Sequence, residues 1–200
     1  EVDPNDLAFT RPSKPIGYFY SQAEARSLEI EFGWTMAEDA GRGWRQVVPS
    51  PEPRHICDIS LIEALASRGT IVIAGGGGGI PVVRDTRGIR HGIEAVIDKD
   101  LTSQHMANIL GIEHMMILTS VSQVALNYGT QEERKLGEVS LSEIKQYQRE
   151  GHFAAGSMGP KVEAAIRFME RGGKRVIIGH LEESLAALTG KAGTHIVLDS

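Results

Sequence analysis

Residues Thr70-Ile71-Val72-Ile73-Ala74 run straight into five consecutive glycines, Gly75 to Gly79, followed by Ile80 and Pro81. A β-branched run entering glycines reads as a buried strand that opens into a bare-backbone loop. An unbroken apolar run, rather than an alternating one, fits a strand covered on both faces, as in a parallel sheet. Glycine lets the main chain bend freely there and lets a ligand approach the N–H groups closely. Loops of this kind suit anions, phosphate above all. Lys99 and Lys161, each in a turn punctuated by Gly or Asp, supply the cations that a phosphate site needs. The chain therefore reads as one that handles a phosphorylated small molecule.

Length and charge narrow the class. The 200 residues suit one domain, or a domain with a small appendage, and an apolar fraction of 41% is enough for a sizeable core. A net charge of -5 without a Lys/Arg run argues against nucleic acid as a partner. The apolar runs are too short to span a bilayer, and no charged-then-apolar leader opens the sequence, so no membrane role is expected. The single cysteine, Cys57, excludes an internal disulfide framework and fits a reducing cytoplasm. No Cys-His motif surrounds it, so it reads as an ordinary buried or half-buried thiol. The histidines at 55, 91, 105, 114, 152, 180 and 195 form no close metal-ligand pair.

Along the chain, residues 1–10 are polar and irregular and read as the interior of a longer protein. Ser21 is an N-cap for a helix over 22–32, closed by Gly33. Short strands are expected over 34–37 and 45–48, and residues 1–48 read as a small protruding α+β subdomain. Pro49-Ser50-Pro51-Glu52-Pro53 is expected to be a stiff linker to a main α/β body over 49–200. Within that body the expected elements are a helix from Asp58 or Ser60 to Ser67, the strand 70–74 and an exposed turn over 85–92. A strand stub follows at 95–97, then a helix from Asp98 or Asp100 to Leu110 and a strand over 114–119. The remainder comprises a helix over 141–150 capped by Ser140, a helix over 161–171, a strand over 175–178, a short helix over 184–188 and a strand over 195–197. Strands alternating with helices predict a parallel sheet covered on both faces, with ligands at the strands' carboxyl ends.

Asp98-Lys99-Asp100 falls at a predicted helix start, where the helix terminus and a lysine both favour phosphate. The same triplet also fits a solvated charge cluster with an N-cap. Gly156-Ser157-Met158-Gly159-Pro160-Lys161 repeats the logic of small residues ahead of a helix and a cation behind them, although an ordinary turn has the same composition. No Gly-x-x-x-x-Gly-Lys-Ser/Thr element is present, nor a spaced Gly-x-Gly-x-x-Gly followed by the usual acidic residue about twenty positions on.

Pro12 to Gly17, Glu38 to Arg45, Val48 to Pro51, Gly75 to Pro81, Ala95 to Asp100 and Gly156 to Val162 occur in an order that resembles the carbamate kinases of the amino acid kinase superfamily. The resemblance implies a three-layer α/β sandwich around a mainly parallel sheet, with a small protruding subdomain. It implies reversible phosphoryl transfer between carbamoyl phosphate and ADP, giving ATP and carbamate, with Mg²⁺ accompanying the nucleotide. It further implies a cytoplasmic homodimer that makes ATP during arginine or purine-derived carbamoyl phosphate breakdown.

By position, the resemblance makes Lys14 the lysine of a lid, Lys99 the lysine on the transferring phosphoryl group and Asp100 the aspartate that organises the lysines. Lys161 matches the lysine near the nucleotide's terminal phosphate. Gly75, Gly76, Gly77, Gly78 and Gly79 match the phosphate-side backbone. Thr119, Ser120, Val121, Asn127 and Tyr128 belong to the adenine and ribose segment, and Gly156, Ser157, Met158 and Gly159 to a second nucleotide-side loop. Ser13, Tyr18, Trp44 and Gln46 depart from the family's usual residues, and 119–123 lacks the acidic residues often found there. The family also opens with a further stretch, carrying part of the carbamoyl phosphate site, that has no match here. Two other functions share these residues: a nucleotide-binding module without catalysis, and a related kinase acting on another acid.

Overall fold

The computed structural model describes residues 1–39, 41–154 and 156–199. It divides into two compact units, residues 1–102 and 103–200; the subdomain expected over 1–48 lies within the first.

The first unit holds a three-stranded sheet of β1 (Lys14–Tyr20), β2 (Met36–Glu38) and β3 (Trp44–Val48), in the order β1-β3-β2 and antiparallel throughout. Helix α1 (Gln22–Phe32) joins β1 to β2. Its ends follow from the sequence. Ser21 and Glu24 form a reciprocal capping box, and Gly33 closes the helix in the left-handed region at φ 66°. The β1–β3 register slips between Ile16 and Tyr20, where Gly17 has φ 69°. The buried Asp39 carboxylate beyond β2 takes Arg42 at 2.9 Å and Arg45 at 3.2 Å. Both guanidinium groups lie over the Phe19 ring, 4.9 and 5.0 Å from its centre. Burial pushes the Asp39 carboxyl up, and the two arginines outweigh it and hold it below its usual range.

The irregular start is built in rather than loose. Val2 is buried, bridges to Pro53 and donates its N–H to the Val82 carbonyl. Asp6 caps a 3-10 turn over Leu7–Phe9 and accepts the Glu52 N–H. Pro51 and Pro53 are buried, so the proline segment packs inside this unit instead of spanning as an exposed linker. Helix α2 (Ile59–Ala66) follows, without a side-chain cap from Asp58. The predicted turn over 85–92 is the tip of an exposed hairpin, β4 (Val82–Arg84) with β5 (Arg90–Gly92). Helix α3 (Lys99–Ile109) runs across the division between the units.

Two predicted strands are absent. Residues 70–74 and 95–97 belong to no ladder, and Ile71 and Ile73 are 92% and 97% exposed. A strand needs a neighbour to satisfy its backbone, and among the described residues none lies beside 70–74. For 95–97, the Val96 N–H goes to the Pro49 carbonyl instead of to a ladder.

The second unit is built on a four-stranded sheet. Its members are β6 (His114–Thr119), β9 (Glu138–Ser140), β10 (Arg175–His180) and β11 (Thr194–Val197), ordered β6-β10-β11-β9. The β6–β10 and β11–β9 pairs are parallel and the β10–β11 pair is antiparallel. A small hairpin of β7 (Ala125–Leu126) and β8 (Arg134–Lys135) stands beside it in sequence. Helix α4 (Leu141–Arg149) begins with a second capping box, Ser140 with Glu143. Helix α5 (Met158–Glu170) buries Val162, Ala164, Ala165, Ile166, Phe168 and Met169, a repeat of three and four residues that sets one face on the core. Val176 and Ile178 of β10 and Ile196 of β11 complete that core at 0% exposure. A Cβ on Gly173 would stand 2.2 Å from the Phe168 ring, so only glycine fits there. Helix α6 (Ser184–Leu188) lies between β10 and β11 in sequence. Among the described residues no helix is long and apolar enough to cross a membrane.

Candidate functional site

Each unit carries its own set of the predicted residues. In the first, Gly75 to Gly79 form a tight loop closed by the Gly78 N–H on the Gly75 carbonyl at 2.9 Å. Gly75, Gly76, Gly78 and Gly79 all have positive φ, at 77°, 48°, 133° and 90°. Residues with a Cβ adopt such angles at a cost, which is why the run is glycine. Gly78 is also wedged sterically. A Cβ there would stand 2.0 Å from the Ile97 carbonyl oxygen. The Gly78 carbonyl in turn accepts the buried Thr102 hydroxyl at 2.7 Å. The loop is thereby seated on the entry to α3 and its first turn.

Asp98 organises that entry. It is 5% exposed. Its Oδ1 accepts the N–H groups of Asp100 at 2.8 Å and Leu101 at 3.2 Å, which caps the helix. Its Oδ2 takes the Lys14 ammonium of β1 at 2.5 Å. Burial raises the Asp98 carboxyl; the hydrogen bond and charge of Lys14, with the N–H groups of Leu101 and Asp100, outweigh it and hold the group below the usual carboxylate range. Lys99 is half exposed, with its ammonium 3.7 Å from the buried Asp100 carboxylate. Lys14, Lys99, Asp100 and the glycine loop are therefore gathered around one helix terminus, where Asp98 takes the Lys14 ammonium and the first N–H groups and Asp100 faces Lys99.

In the second unit, Thr119 ends β6, and Ser120 and Val121 open the loop after it. That loop is held by the Val124 N–H on the Thr194 hydroxyl at 2.9 Å and by Gln123 on the Gly193 carbonyl at 3.1 Å. Asn127 takes a left-handed conformation, φ 51°, at the tip of the β7–β8 hairpin, and Tyr128 beside it is 68% exposed. The helix expected from Lys161 begins three residues earlier, at Met158. Gly159 and Pro160 thus lie in its first turn, where proline's missing N–H costs nothing. The Ser157 and Gly159 N–H groups both donate to the Ala154 carbonyl, at 3.2 and 2.8 Å. Lys161 is half-buried one turn into α5.

Sequence reasoning treated Asp98 as a possible cap and missed its hold on Lys14, as it missed Thr102. Lys14 and Asp98 are 84 residues apart, and no local pattern signals such a pair. Asp98 had a readable signal as a cap, an Asp directly before a helix.

The sequence profile of the amino acid kinase family matches residues 16–180. This chain belongs to the amino acid kinase family. Within that family it is similar to the carbamate kinase of Pyrococcus furiosus, 53% identical over 196 residues that make up 98% of this chain and 62% of the relative. Among solved structures it resembles carbamate kinase from Giardia lamblia bound to citric acid, with a TM-score of 0.91 at 48% identity, covering 99% of this chain and 62% of that one. The same enzyme bound to AMP-PNP matches with a TM-score of 0.83 at 48% identity, covering 99% and 63%. The chain spans a little under two thirds of these relatives' length. The α/β expectation is met by this amino acid kinase fold.

Proposed function

We propose that this chain is the lid and nucleotide-binding part of a carbamate kinase, which exchanges a phosphoryl group between carbamoyl phosphate and ADP to give carbamate and ATP. The observation that carries this reading is the gathering of Lys14, Lys99, Asp100 and the glycine loop at the Asp98-capped start of α3. In-line phosphoryl transfer asks for placement and positive charge more than for covalent chemistry. Lys99 would contact the transferring oxygens and Asp100 would fix its direction. The loop N–H groups would share the developing charge without reorganising. Carbamate oxygen is already anionic, so no general base is required. Residues 1–48 act as the lid that delivers Lys14. Lys161 serves the nucleotide's terminal phosphate, Thr119, Ser120, Val121, Asn127 and Tyr128 its adenosine, Gly75 to Gly79 the phosphate-side backbone, and Gly156 to Gly159 a second nucleotide-side loop. Mg²⁺ arrives on the nucleotide, held chiefly by its phosphates; the buried Asp100 carboxylate is the hard oxygen ligand best suited to meet it. The complete enzyme would be a cytoplasmic homodimer.

The span of the chain favours a second reading, a nucleotide-binding module that does not turn over, because positioning both reactants is itself a large part of the rate. Calorimetry with MgADP tests the first reading. Saturable binding, weakened by Lys161→Ala, is expected, and a flat titration at millimolar nucleotide refutes it. ATP formation from carbamoyl phosphate and MgADP separates the two readings. The chain by itself is expected far below a typical kinase rate of about 1–100 per second.

A further inference from the structure

A run of glycines can present its N–H groups to a ligand and can equally well turn them away. A peptide plane reverses by rotating ψ of one residue and φ of the next, and a Cβ on either residue is what normally resists the turn. Between Gly78 and Gly79 neither residue has one, so that plane is fixed only by a contact from outside the loop. Helix α3 supplies the contact. Thr102, 4% exposed, donates its hydroxyl to the Gly78 carbonyl at 2.7 Å, across 24 residues of sequence. A threonine in a helix ordinarily turns its hydroxyl to the carbonyl three or four residues before it. Here the carbonyl four residues back, that of Asp98, accepts the Thr102 N–H at 3.0 Å, and the hydroxyl goes to the loop instead.

The peptide between Gly78 and Gly79 is trans and planar. Its N–H therefore points opposite to its carbonyl, away from Thr102. Gly79 is exposed, and among the described residues its N–H has no acceptor. The Gly78 N–H, by contrast, closes the loop on the Gly75 carbonyl. We propose that Thr102 is a positioning residue that aims the Gly79 N–H as a donor to an oxyanion, a phosphate oxygen of the nucleotide. The identity of that anion rests on the function proposed above. Thr102 touches no reactant and acts through the Gly78 carbonyl. Without the hydroxyl that buried carbonyl loses its partner, and the glycine–glycine plane is free to reverse. Reversal puts a carbonyl oxygen where the anion meets its donor, so attraction becomes repulsion.

The test combines MgADP calorimetry with ¹H–¹⁵N NMR of the glycine amides. It compares the unchanged chain with Thr102→Val, which loses the hydroxyl, and Thr102→Ser, which keeps it. In the unchanged chain the Gly79 amide signal is expected to move as MgADP is added. Thr102→Val should weaken MgADP binding about tenfold and abolish the Gly79 response, while Thr102→Ser should bind within about threefold of the unchanged chain. A merely structural Thr102 gives a different pattern. Thr102→Val would then lower the urea midpoint, followed by Trp34 and Trp44 fluorescence, and leave the affinity of the folded chain and the Gly79 response as they were. That result overturns the proposal. So does a Gly79 signal that saturating MgADP leaves in place in the unchanged chain, a readout that needs no variant to fold. A flat MgADP titration of the unchanged chain removes the carbamate kinase reading and this proposal with it. Saturable binding that Thr102→Val leaves intact removes this proposal alone.

Discussion

Asp98→Asn isolates the link between Lys14 and the start of α3. Asparagine matches aspartate in shape and caps helices equally well, so the bonds from the Asp100 and Leu101 N–H groups survive. The lost interaction is the charge-assisted one, Lys14 on Oδ2 at 2.5 Å. Hydrogen bonds to charged groups contribute about 1.5–3 kcal/mol. Lys14 keeps 26% of its side chain in contact with water, so it recovers some hydration when released, and the expected cost is near the lower end, roughly 1.5 kcal/mol. Asp98→Ala removes the cap as well and should cost about 1 kcal/mol more. Lys14→Met takes its ammonium away from a buried carboxylate and should cost more than Asp98→Asn. Both tryptophans, Trp34 and Trp44, lie in the first unit, so urea unfolding followed by their fluorescence reads that unit directly. In the double variant the costs of Asp98→Asn and Lys14→Met should fall short of their sum by about 1 kcal/mol or more. Coupling within about 0.3–0.5 kcal/mol of zero, the usual scatter for independent sites, would refute the link. Equal costs for Asp98→Asn and Asp98→Ala would refute the capping half of the reasoning.

Three other outcomes follow from the same geometry. Gly78→Ala places a Cβ against the Ile97 carbonyl at an unfavourable φ and should cost more than about 2 kcal/mol, while Gly76→Ala, with nothing within 4 Å, should cost about 1–2 kcal/mol for its left-handed angle alone; urea midpoints separate them. Phe168→Ala empties the centre of the second unit and should cost about 3–5 kcal/mol, read as faster amide exchange across β10. Asp39 and Asp98 are both held below their usual range, so their stabilisation is fully present above the unfolded value of about 3.9 and disappears as pH falls through the lower folded values; acid unfolding watched by tryptophan fluorescence should show this loss, and Asp98→Asn should flatten the curve.

Much of this protein is written locally. Ser21 with Glu24, and Ser140 with Glu143, fix two helix starts because a cap needs only residues three positions apart. Gly33 stops a helix because it alone enters the left-handed region cheaply. The five glycines announce a loop because four of them sit at angles other residues avoid. The three- and four-residue repeat of α5 announces a buried face. The resemblance to carbamate kinases was legible for the same reason, since its motifs are contiguous. Tertiary structure alone decided the rest. That Asp98 would hold a lysine 84 residues away, that Thr102 and Ile97 would grip Gly78, and that the proline segment would be buried all depend on partners remote in the chain. Thr70 to Ala74 marks the limit. Its residues specify a strand, but a strand exists only as a pairing, and a pairing requires a neighbour that no property of the run itself can supply.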